Sequence, residues 1–181
     1  MKLLASLLAL FAVPALALAA TASEIDAQVA TYNAAGKAVV EMALGKNINA
    51  ATVAAKVDAM LTSATWLARE YAKKHAKGEK LLTVVINNIE AMKKLPYKDI
   101  EHNWHDLHHF DTKDKDIGLN LKDEDNEHFT DPIHSIVHPL LVLKAAQDYA
   151  AKPNDEALKN IKEEMEEGIE QVNKTGASLK K

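Results

Sequence analysis

The chain has 181 residues, enough for one ordinary domain and too few for two comfortable ones. Nearly half are apolar and about a quarter charged, a globular composition, and aromatic residues make up only 5% beside abundant Ala and Leu, which favours helices over a sheet-based core. The absence of Cys excludes disulfides, covalent haem attachment, iron–sulfur clusters and thiolate metal sites, and a net charge of −4 gives no basic face for nucleic acid.

Met1-Lys2 opens an apolar run from Leu3 to Leu18 that holds Pro14 and leaves through Ala17-Leu18-Ala19-Ala20. A charged start, a short apolar stretch and small residues at the exit predict a secretory signal peptide over 1–20. The run is shorter than the ~20 residues a membrane span needs. No later stretch approaches that length, so the expectation for 21–181 is one helical domain in a bacterial periplasm or outside the cell, with no stable span after cleavage.

Downstream, apolar residues repeat at helical spacing. Ser23 is expected to cap a helix carrying Ile25, Val29, Tyr32, Gly36, Val39 and Ala43, closed by Gly45. Asn49 opens a second, with Val53, Val57, Met60, Ala64, Leu67 and Tyr71 on one face and a basic last turn before Gly78. A third carries Leu82, Val85, Ile89 and Met92 and stops at Pro96. A short helix is expected over 97–110, then a polar acidic loop over 111–130. Asp131-Pro132 starts another helix, expected to run to about 151, and Pro153-Asn154 introduces a last one carrying Leu158, Ile161, Met165, Ile169 and Val172, with a frayed tail from Lys174. Strand-like alternation is absent. The predicted fold is all-α, a bundle of four long helices plus a short His-rich one.

Seven of the eight His lie between 102 and 138. On a regular helix, His102, His105 and His109 gather opposite Ile100, Trp104, Leu107 and Phe110. His134 and His138 share a face of the next long helix, and Pro139 frees the carbonyl of Ser135 from its helical partner. The pattern HxxxH therefore occurs twice, joined by a loop with Asp123, Glu124, Asp125, Glu127 and His128. Two helices each offering an i,i+4 pair of imidazoles can complete a shell for a divalent transition metal, and zinc or copper suits neutral imidazole where no thiolate exists. The expected ligands are His105, His109, His134 and His138, with His102 and His128 as alternates and Glu127 as an oxygen donor. Binding, buffering or delivery of the ion fits this pattern better than turnover.

Two other readings compete. A b-type haem between facing helices would use His134 and His138, which border an apolar stripe, and would make an electron-transfer bundle. A pH-responsive interaction module would use the clustered His as groups that charge together on mild acidification. Further chemistries lack their parts. The acidic loop fails the spacing of a calcium-binding EF-hand. Ser135 has no nucleophile elbow or oxyanion loop. The HxxxH shape is similar to that of hemerythrin-like oxygen carriers, but their companion HxxxE pair and further His are missing from the remaining helices. The glutamates at 163, 164, 166 and 167 read as a solvated charged face.

Overall fold

The computed structural model describes residues 20–112, 117 and 119–181. The expected signal peptide lies outside the described residues, apart from Ala20. Among the described residues the chain is helical without strands, as its apolar spacing requires.

Four long helices make the bundle: α1 (Ala22–Leu44), α2 (Ala50–Lys74), α8 (Thr130–Ala151) and α9 (Asp155–Leu179). Between α2 and α8 run a 3-10 turn (Ala76–Gly78) and five short helices: α3 (Glu79–Asn87), α4 (Ile89–Met92), α5 (Tyr97–Ile100), α6 (His108–Thr112) and α7 (Glu124–Glu127). Around the bundle the order is α1, α2, α8, α9, with α9 closing back on α1. Long-range polar contacts fix the directions. Asp26 near the start of α1 meets Lys180, Lys46 after its end meets Asp155, and Tyr71 near the end of α2 meets His128 just before α8. Each long helix is therefore antiparallel to its two neighbours, the up-down arrangement that short connections favour.

The core consists of the predicted stripes. Tyr32 and Val39 from α1, Val53, Val57, Met60 and Leu67 from α2, and Ile161, Met165 and Val172 from α9 are fully buried. From α8, residues on nearly every side are buried, Ile133 through Val142 except His134. It is the central helix, covered by α2, α9, α3, α5 and residues 101–105. Met60, Met92 and Met165 fill this apolar interior.

Several local expectations need correction. Thr21, not Ser23, caps α1, and it forms a reciprocal capping box with Glu24. The third expected helix breaks at Asn88, which separates α3 from α4. Residues 174–181 do not fray. Thr175 and Gly176 are buried, a Cβ on Gly176 would fall 2.6 Å from Val29, and Lys74 donates to the terminal carbonyls of Ser178 and Leu179. The acidic loop carries a buried anchor, Phe129, whose ring occupies the space above Gly78, where a Cβ would lie 2.0 Å from the ring. No helix among the described residues is long and apolar enough to cross a membrane.

Two features of α8 position the site. Pro139 leaves the Ser135 carbonyl without a helical donor, and the buried Tyr32 hydroxyl donates to it across the core at 3.0 Å. Burial with an uncharged partner holds the Tyr32 hydroxyl well above its ordinary pKa, so it remains a donor. Opposite, Gly168 lets α9 approach closely: a Cβ there would lie 2.7 Å from the Tyr32 oxygen and 3.0 Å from the His138 Cβ.

Candidate metal centre

The 97–110 segment is not a regular helix. After α5, residues Glu101–His105 widen into a π turn closed by Asp106 N–H on Glu101 C=O, and Leu107 takes a left-handed φ of 64° before α6 begins. A non-Gly residue in that region stores strain, and π turns concentrate at functional sites. The distortion disperses the histidine face that an ideal helix would present.

His105 turns toward α8 and joins His134 and His138. One ligand atom from each of the three lies within 4.8 Å of the others. The His105 and His134 rings stack at 4.7 Å between centroids and 9° between planes, and His138 meets both nearly edge-on, at 5.2 and 5.5 Å.

The remaining expected ligands lie elsewhere. His109 is 8% exposed and stacks on Trp104 at 4.0 Å, a consequence of the turn at Leu107, which rotates it from the predicted His face into the core edge. His128 packs against Tyr71, His75 and Phe129 at the end of α2, with its Nδ1 2.8 Å from the Tyr71 hydroxyl. Glu127 points to solvent on α7, and His102 stacks on His108 at 4.3 Å. The two HxxxH pairs thus contribute three imidazoles to one place, not four.

Hydrogen bonds fix the tautomer of each clustered imidazole. His134 Nε2 lies 3.0 Å from the backbone carbonyl of His105; a carbonyl only accepts, so Nε2 carries the proton and Nδ1 the lone pair. His105 Nδ1 donates to Asp106 Oδ1 at 3.2 Å, leaving its Nε2 lone pair. His138 Nδ1 donates to Glu164 Oε2 at 2.8 Å, and its Nε2 is buried with no hydrogen-bond partner. In its neutral form each of the three rings therefore ties one nitrogen to an oxygen acceptor and keeps the other as a base. This is how proteins orient metal-binding histidines.

Electrostatics keeps the His134 ring neutral. Burial, reinforced by the neighbouring His105 and His138, lowers the His134 pKa to about 4, so at neutral pH its lone pair is not protonated. Burial pushes the Glu164 carboxyl up, but hydrogen bonds from His138 and from the Tyr97 hydroxyl outweigh it and hold the group below its usual value, as a carboxylate. Burial, with Glu164 beside it, raises the Tyr97 hydroxyl far above its ordinary pKa, so it stays a donor.

Asp106 flanks the histidine face in the sequence, whereas Glu164, Tyr97 and Glu167 are not singled out there as site residues. Glu164 is not part of a solvated face: its side chain is 15% exposed and turned to His138. Its spacing, three residues after Ile161 and eight before Val172, places it on the inner side of α9, a signal obscured by the charged run around it. Glu167, an exposed side chain, places its Oε2 3.9 Å from the Nε2 of His138.

No family model, curated protein or solved structure matches this chain. The site's chemistry therefore rests on its own geometry.

Proposed function

We propose that the chain is an exported helical-bundle protein that binds one divalent transition metal ion, zinc or copper, through His105, His134 and His138, for binding, buffering or delivery of the ion. The observation that carries this reading is the buried Nε2 of His138. An imidazole nitrogen sealed from water without a partner costs on the order of 1–3 kcal/mol, and an ion removes that cost. A ring nitrogen from each of the three histidines lies within 4.8 Å of the others, each ring is held by a hydrogen bond to an oxygen acceptor, and His134 is neutral at pH 7, so binding requires little reorganisation. Three imidazoles leave a fourth position for water or for the Glu167 carboxylate.

Haem is less well supported. The His105 and His134 rings stack directly on each other, and His134 and His138 meet edge to face, which leaves no slot for a porphyrin between any two of them. The export component rests on the N-terminal pattern of charge, apolar run and small-residue exit.

The test is a zinc and a copper titration of untagged protein against a competing chelator, with circular dichroism on every variant. One tight ion per chain is expected, with at least a 100-fold loss of affinity in His105→Ala, which alters a partly exposed side chain, and in His138→Ala. Wild-type protein that takes up neither ion at micromolar concentration, or variants that bind as tightly as wild type, would overturn the reading. The mass of the protein recovered from its producing cell tests export: loss of about the first 20 residues is expected, and an intact N-terminus refutes it.

A further inference from the structure

The distorted segment that delivers His105 to α8 also assembles a second, solvent-exposed group. His102, Asp106 and His108 each present a ligand atom within 4.8 Å of the others. On an undistorted helix, residues 102 and 108 would lie about 120° apart. Here the π turn and the left-handed Leu107 bring their rings into a stack, 4.3 Å between centroids and 28° between planes. Asp111 stands 3.8 Å from His108 Nδ1 and adds a second carboxylate at the rim. His102 and Asp106 are exposed, and His108 is also solvent-accessible.

Asp106 joins the two groups. Its Oδ1 accepts the Nδ1 proton of His105, one of the three inner imidazoles, while the same carboxylate belongs to the outer cluster. A carboxylate has about four lone-pair directions, so it can orient an inner ligand and still bind a cation outside. Two imidazoles and a carboxylate are a recognised donor set for divalent transition metals with the remaining positions filled by water.

We infer that His102, Asp106 and His108 form a second, surface-exposed site for a divalent transition metal ion, linked through Asp106 to the buried His105–His134–His138 site. This inference extends the proposed metal-binding function, yet the two sites use different ligands and can fail separately. The outer site is the weaker one. It has fewer imidazoles, lies in high dielectric, and must hold mobile surface side chains in place.

The experiment is an equilibrium zinc titration of the full chain against an indicator of known affinity, for wild type, for His102→Ala/His108→Ala and for His138→Ala. Imidazole nitrogen NMR shifts report which rings respond. Wild type should bind two equivalents, one at least ten-fold weaker, with the His102 and His108 signals moving only during the second. The double variant should lose the weak equivalent alone, and His138→Ala the tight one alone. A double variant that keeps both equivalents, or a wild type that binds one ion without moving the His102 and His108 signals, overturns the outer site and leaves the buried one standing. Loss of an equivalent in the double variant, with no change in His138→Ala, supports the outer site and removes the buried one.

Discussion

At the scale of single residues, Glu164 and His138 form the decisive pair. Glu164 accepts from both His138 Nδ1 and the Tyr97 hydroxyl, so it fixes the ring whose other nitrogen is unpartnered. Glu164→Gln keeps the shape but removes the charge and leaves one carbonyl oxygen for two donors. Zinc affinity should fall about 10–100-fold with the helical content unchanged; a competition titration beside circular dichroism measures both. His134 sets a pH limit for the ion-free protein. Its folded pKa of about 4 lies below the ordinary 6.5, so the unfolded chain binds its proton first as pH falls. The corresponding stability is fully present above pH 6.5, declines below it, and is gone once pH has passed through 4. The shift corresponds to about 3 kcal/mol. Urea midpoints in chelator at pH 7 and pH 4.5 should show the decline, and His134→Gln should flatten it.

At the scale of elements, two helices approach closely because one lacks a side chain at the contact. Gly168 of α9 faces the Tyr32 oxygen and the His138 Cβ, and neither neighbour is the free end of a flexible chain. Gly168→Ala should destabilise by about 1–3 kcal/mol and weaken ion binding, because His138 must shift. Gly36→Ala provides the contrast. Its nearest atoms are the ends of Ile169 and Met165, at 3.1–3.3 Å, which can rotate away, and Ala gains up to about 1 kcal/mol of helix propensity. It should be neutral or stabilising. Thermal melts of the two variants in chelator decide between these outcomes. The same scale shows where sequence reading is strong. The heptad-like stripes of α1, α2, α8 and α9 are long enough for periodicity to identify them, and the free carbonyl created by Pro139 was legible as well. The 97–112 segment was not. Its residues carry a helical pattern, yet Ile100, Trp104 and Phe110 are buried in the core on a segment with a π turn and a left-handed Leu107, which local periodicity does not encode.

At the scale of the whole molecule, the candidate site joins three parts of the chain. His105 comes from the crossover, His134 and His138 from α8, and Glu164 from α9, so an ion bound there ties the crossover to the bundle. Zinc at 100 times its dissociation constant should stabilise the fold by about 2.7 kcal/mol and raise the melting temperature by about 5–10 °C. Protection of the 97–112 amides from hydrogen exchange should rise with it; a melting temperature unmoved by zinc or copper would contradict the coupling.

The amino-acid sequence by itself determined the all-α architecture and the absence of thiolate donors. Apolar spacing specifies which faces must be buried, and a chain with no Cys and seven His between 102 and 138 offers a transition metal imidazole nitrogen in place of thiolate. Tertiary structure decided which histidines meet. The strained turn at Leu107 sends His105 to α8 and His109 against Trp104, and the close contact at Gly168 sets a carboxylate from α9 behind His138. Periodicity describes one helix at a time, whereas a coordination shell depends on distances between helices, and those follow from how the core packs.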